Sequence, residues 1–86
     1  MNFPIYRRYA NGKSYFHIVN PSEVIEVQLI GKYFIKHHIL AKILPERNLI
    51  ADLIALNGGQ IEEISESEFH TFLEHCQSEL EERSFD

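Results

Sequence analysis

Polar and apolar residues alternate with period two over the first half of the chain. In the second half the apolar residues recur every three or four positions. From Ile25 to Ile43 the odd positions hold Ile25, Val27, Leu29, Tyr33, Ile35, His37, Ile39, Ala41 and Ile43, while the even ones include Glu26, Gln28, Lys32, Lys36, His38 and Lys42. Alternation rich in β-branched and aromatic residues predicts two half-buried strands around a turn at Gly31. Opposed residues of an antiparallel pair share a face. A two-residue Gly31-Lys32 loop would pair Leu29 with Phe34 and Val27 with Lys36, setting a charge beside an apolar residue. A loop with an odd number of residues instead gathers Ile25, Val27, Leu29, Tyr33, Ile35 and Ile39 on one face. That clean face predicts a three-residue loop, or a bulge, at Gly31. The competing pattern, a short helix capped by Ser22 and ending at Gly31, is disfavoured by the poor helix formers Val24, Ile25 and Val27.

Upstream, Phe3–Ala10 and Lys13–Val19 flank Asn11-Gly12, a strong signal for a hairpin with a two-residue type I′ turn. This loop pairs Tyr9 with Ser14, Arg7 with Phe16 and Ile5 with Ile18. Phe3, Ile5, Tyr9, Phe16 and Ile18 then form the core side. Tyr6, Arg8, Tyr15, His17 and Val19 form the other, wetter side. Asn20-Pro21-Ser22 turns the chain between the two hairpins.

Downstream, Pro45 stops the fourth strand and suits the first turn of a helix. Leu49, Ile50, Leu53 and Ile54 make an apolar stripe, and Asn57-Gly58-Gly59 reads as a stop, which predicts a short helix over about 46–56. Residues 60–64 fit either a short edge strand or an extended lead-in. Ser65 and Glu68 fit a capping box, with Ile64 and Phe69 placed as a hydrophobic staple. Phe69, Phe72, Leu73, Cys76 and Leu80 extend the stripe of a second, longer helix to about Glu82. Glu79, Glu81 and Glu82 oppose the helix dipole at its end, so fraying and a mobile tail at 84–86 are expected. The fold class predicted is α+β: an antiparallel sheet of four to five strands, built as two consecutive hairpins, then a short and a long helix packed on one face.

Eighty-six residues make one domain, assigned to 1–83, with one modest core. No apolar run approaches a membrane span, and no apolar segment follows Arg7 and Arg8 as a signal peptide requires. Cys76 is the single cysteine, so no internal disulfide forms and a cytoplasmic location is expected. The net charge of −5 is uneven: the chain through Arg47 carries +4, and the remainder carries −9. Such asymmetry marks a binding surface or an acidic tail.

The candidate chemistry is thin. His37 and His38 leave opposite faces of a strand, His70 and His75 lie on different sides of a helix, and no histidine pair has zinc-motif spacing. Cys76 sits in the apolar stripe of an acidic helix, where a thiol packs and its pKa rises. Adjacent glutamates such as Glu62-Glu63 read as solvated surface, and Gly58-Gly59 lacks the spacing and lysine of a phosphate loop. No catalytic residue, cofactor or metal site follows, and the reading leans away from an enzyme. One surface carries functional content: Tyr6, Arg8, Tyr15 and His17, extended by Lys36, His38 and Lys42. Rings alternating with cations suit protein interfaces and also single-strand nucleic-acid binding. The preferred reading is association, as a homodimer or with another protein, or a face covered by the acidic C-terminal helix. The alternative is a single-stranded nucleic-acid-binding domain.

Four segments, NGKSYFHI, EVQLIGKYFIKHHI, AKILPERNLIADLI and ISESEF, carry a resemblance over the stretch from Tyr9 through Glu68. Together this stretch resembles short conserved hypothetical bacterial proteins. The resemblance implies a free-standing bacterial domain and brings with it no activity, cofactor or catalytic residue.

Overall fold

A computed structural model describes residues 2–83. The chain forms strands β1 (Ile5–Tyr9), β2 (Ser14–Asn20), β3 (Glu23–Ile30) and β4 (Tyr33–Leu40). Helix α1 (Leu44–Ala55), strand β5 (Ile61–Ile64), helix α2 (Glu66–Glu79) and a two-residue strand β6 (Glu81–Glu82) follow. The fold is α+β, with one six-stranded sheet in the order β5-β1-β2-β3-β4-β6. All neighbours are antiparallel except β4 and β6. The ambiguous 60–64 segment is a strand on β1, and β6 adds a sixth where four to five were expected. The tail expected at 84–86 lies outside the described residues.

The first hairpin has the register its sequence predicts, with Ile5 opposite Ile18 and Arg7 opposite Phe16. Its loop is longer than the two residues expected. The Gly12 N–H donates to the Tyr9 carbonyl at 2.9 Å, the Lys13 N–H donates to Asn11 Oδ1 at 2.9 Å, and only Gly12 takes a positive φ, +73°. The connection therefore spans Ala10 to Lys13, with a tight turn inside it. A longer loop with the same parity leaves the faces unchanged.

The central hairpin overturns the odd-loop expectation. Ile30 pairs with Tyr33, so the loop is Gly31-Lys32 alone, and Leu29 faces Phe34 while Val27 faces Lys36. Gly31 has φ +60° at the first loop position, the pattern of a type II′ turn, whose twist suits the flanking strands. The expected single wall is thereby split. Ile25, Val27 and Leu29 point to one side of the sheet, and Tyr33, Ile35 and Ile39 to the other.

Both sides need apolar residues because the helices cover opposite faces, not the one face predicted. Ile50 and Leu53 of α1 pack on Phe16, Ile18 and Val24. Phe69 and Cys76 of α2 pack on Tyr6, Val27, Phe34 and Ile64. The Val27–Lys36 pairing is tolerable because β4 lies near the sheet edge, where the lysine head reaches water.

Helix α1 has only Ile50 and Leu53 fully buried, worth about 1.5–3 kcal/mol each, so its ends matter. At the start, Glu46 Oε1 accepts from the backbone N–H groups of Lys42 (3.0 Å) and Ile43 (3.3 Å). At the end, Leu56 takes the left-handed conformation (φ +57°), one residue before the expected stop, and the Asn57 N–H donates to the Asp52 carbonyl. The final carbonyls receive an unexpected donor. Arg7, on the α1 side of β1 and 5% exposed, donates from Nε to the Leu53 carbonyl at 2.9 Å and from Nη2 to the Ile54 carbonyl at 3.4 Å. Its cation thus sits at the negative end of the helix.

Helix α2 starts as predicted. The Ser65 hydroxyl accepts from the Glu68 N–H at 3.0 Å, and Glu68 Oε1 accepts from the Ser65 N–H at 3.3 Å. Ile64 and Phe69 share one core cluster, as a staple requires. The helix ends at Glu79, short of Glu82, because Leu80 turns extended (φ −124°). Glu81 and Glu82 leave the unfavourable end of the dipole for the sheet. There the Arg83 N–H donates to the Phe34 carbonyl at 2.8 Å, and the Arg83 guanidinium lies 3.9 Å over the Tyr33 ring.

Candidate functional site

By register, Tyr6, Arg8, Tyr15, His17, Lys36 and His38 share one face of the sheet, and α2 covers the part of it that belongs to the first hairpin. Tyr6 and His17 lie under α2. Their rings stack at 4.8 Å, and the Phe69 ring lies 5.4 Å from Tyr6 and 5.7 Å from His17. Burial, with the Glu66 charge adding to it, raises the Tyr6 phenol pKa. Burial also lowers the His17 pKa, with the nearby His70 adding to the effect. Tyr15 is stacked flat on Phe72, with ring centroids 3.6 Å apart and planes 6° apart. The covered-face reading is the one the structure bears out: α2 itself occupies the aromatic side of the first hairpin.

Arg8 stays at the margin of that cover. Its Nε donates to Glu62 Oε1 at 2.7 Å, and Nη1 lies 3.9 Å from Glu68 Oε2. The hydrogen bond to Glu62 is the main cause of its raised pKa. With Tyr15, Glu68, Thr71, Phe72 and His75 it lines an open, shallow groove of about 460 Å³. The groove's cation is already bonded to a carboxylate. No buried side-chain nitrogen or oxygen among the described residues lacks a hydrogen-bond partner, so the interior offers the groove no unspent polar group.

Lys36, His38 and Lys42 lie three strands away from β1. Lys36 and Lys42 are exposed, and His38 is paired with Glu23 of the adjacent strand. The chemistry of the rest is equally local. Cys76 is fully buried, and burial raises its thiol pKa. Among the described residues no three His, Cys, Asp or Glu side chains gather as a metal site, and no helix is long and apolar enough to cross a membrane.

Lys36 and His38 also share a sheet edge. The Phe34 carbonyl points outward, away from β3, where it accepts from Arg83, and the Ala41 N–H points inward to the Ser22 carbonyl at 2.8 Å. Backbone polar groups alternate sides along a strand. Lys36, His38 and Leu40 therefore direct their N–H and C=O groups outward. Among the described residues, pairing on this side of β4 stops at Phe34. At the end of this stretch and just after it in the chain come the three most exposed large apolar side chains described: Leu40 (47%), Ile43 (59%) and Leu44 (68%).

Ile43 and Leu44 were missed by sequence reasoning, which treated them as the end of a strand. A signal was present. Helix geometry sets Leu44 beside Arg47 and Asn48, opposite the stripe of Ile50 and Leu53. An apolar residue on the polar side of a helix start has no core to enter. Compared with known families, curated proteins and solved structures, the chain matches no family, no curated protein and no solved structure.

Proposed function

We propose that this protein is a non-enzymatic association module that pairs with a second copy of itself through the side of β4 that is unpaired beyond Phe34 among the described residues. One observation carries the reading. The outward-pointing backbone groups of Lys36, His38 and Leu40 have no strand partner among the described residues, and the chain continues from them into the exposed side chains of Ile43 and Leu44. An open strand edge is a template for another strand, and an apolar rim adds area removed from water on pairing. The opposite edge suits this role poorly. Strand β5 has four residues, and its two central ones, Glu62 and Glu63, would repel their copies. The reading keeps the protein in the cytoplasm, where a single buried thiol stays reduced.

A contact of this length falls at the small end of specific interfaces, so self-association in the micromolar range is expected. Size-exclusion chromatography with light scattering tests it. The wild-type chain should shift from monomer to dimer across that range, and Leu44→Glu or Ile43→Glu should hold it monomeric without changing its far-ultraviolet circular dichroism. A wild-type chain that stays monomeric at high micromolar concentration, or glutamate variants that still dimerise, would end the proposal.

No observation favours the nucleic-acid alternative. The rings a base would stack on are occupied, Tyr6 by His17 and Tyr15 by Phe72, and Arg8 is bonded to Glu62.

A further inference from the structure

Resting on the association reading, we infer that two copies join antiparallel with His38 on the two-fold axis, each Lys36 lying opposite the other copy's Leu40. Three features of the chain select this register. The residues that meet must both point their backbone groups outward, which restricts them to Lys36, His38 and Leu40. Strand β6 occupies the same side of β4 at Tyr33 and Phe34, so it acts as a stop for an incoming strand. Beyond Leu40 the chain leaves for α1, which ends the usable length at the other side.

Shifting the second copy by two residues in either direction fails. One shift sets Leu40 against Phe34, where β6 already lies. The other sets Lys36 against Lys42, two cations facing each other. Only the register centred on His38 lays the stretch from Lys36 to Leu40, unpaired on this side among the described residues, onto itself. Each of its opposed pairs then exchanges N–H and C=O bonds across the new ladder.

The charges agree with this arrangement. Leu40 pairs with Glu23 on the inner side. A Lys36 arriving opposite Leu40 thus stands one strand away from Glu23 on the same face, within reach of its long stem. Lys42, just past the end of β4, is carried toward the other copy's β6, whose two residues are Glu81 and Glu82. Lys36 and Lys42 thus each approach glutamates of the other copy, with Arg83 also near Lys42. His38 faces its own copy with Ile25 behind it on β3, its Nε2 held by Glu23 of the same chain.

Cysteine cross-linking tests the register separately from the association. On the axis, the Cα atoms of a hydrogen-bonded pair stand about 5.5 Å apart, inside the disulfide range. His38→Cys should therefore form a disulfide-linked dimer under mild oxidation. Lys36→Cys alone should not, because its copies would lie about 14 Å apart along the strands. A mixture of Lys36→Cys and Leu40→Cys should link across the two variants. The buried Cys76 leaves the wild-type chain as the unlinked control. Should His38→Cys fail to fold by circular dichroism, the mixed pair carries the test. A dimer by light scattering without these links, or with Lys36→Cys linking to itself, overturns the register and leaves the association standing. A monomer by light scattering removes both.

Discussion

Replacing Arg7 tests whether a strand residue holds the end of a helix. Arg7→Met keeps an unbranched stem and removes the guanidinium. Three hydrogen bonds disappear: Nε to the Leu53 carbonyl at 2.9 Å, Nη1 to the Tyr6 carbonyl at 3.0 Å, and Nη2 to the Ile54 carbonyl at 3.4 Å. Two opposing effects set the size of the loss. The wild-type protein bears the desolvation of a buried cation, several kcal/mol, and methionine relieves it. Methionine also leaves two helix-end carbonyls without their side-chain donor, at about 1–3 kcal/mol each. It removes a cation from the helix terminus as well, worth up to about 2 kcal/mol when partly buried. The second set is larger, because the desolvated cation is already compensated by three acceptors. The expected net loss is about 3 kcal/mol, against a total stability of roughly 4–13 kcal/mol for a chain this size. Arg7→Lys should lose about half as much, since one ammonium cannot span both carbonyls. Urea unfolding followed by far-ultraviolet circular dichroism measures the change, with an unaltered slope showing that the unfolding transition is the same. Arg7→Met within about 0.5 kcal/mol of wild type, the scale of an ordinary surface substitution, would refute the reasoning. So would a loss that vanishes in molar salt, because screening removes only exposed interactions.

Two further outcomes follow from local geometry. Leu56 holds a left-handed conformation that costs a side-chain-bearing residue about 1 kcal/mol, and its side chain is 37% exposed. Leu56→Gly should therefore raise stability by about 0.5 kcal/mol in the same urea assay; a clear loss would mean that its partial burial outweighs the strain. His17 has a lowered folded-state pKa, chiefly from burial, so the native state binds fewer protons than the unfolded one. Stability is then unaffected above the unfolded value of about 6.5 and falls as pH drops from there to the lower folded value. His17→Gln should flatten that part of the wild-type pH–stability curve; an unchanged slope in the variant would show that other histidines carry it.

The sequence by itself determined the local elements whose cause is local. The Ser65–Glu68 box and the Ile64–Phe69 staple lie within a few residues of each other, so the start of α2 was legible. Period-two alternation placed the four main strands, and the first hairpin's register survived even though its loop was longer than expected. What only the tertiary structure decided was which faces would be covered. A single buried face would have demanded the all-apolar wall of Ile25 to Ile39, and the odd-loop prediction followed from that assumption. With α1 on one side and α2 on the other, both faces find apolar partners, and the short II′ turn at Gly31 prevails. The same arrangement decided the candidate surface. Whether Tyr6, Arg8, Tyr15 and His17 meet water depends on where a helix some fifty residues later comes to rest, and nothing in their own spacing encodes that. The buried role of Arg7 and the edge from Lys36 to Leu40, unpaired among the described residues, arise in the same way, since each is defined by the partner that long-range packing brings to it or leaves away.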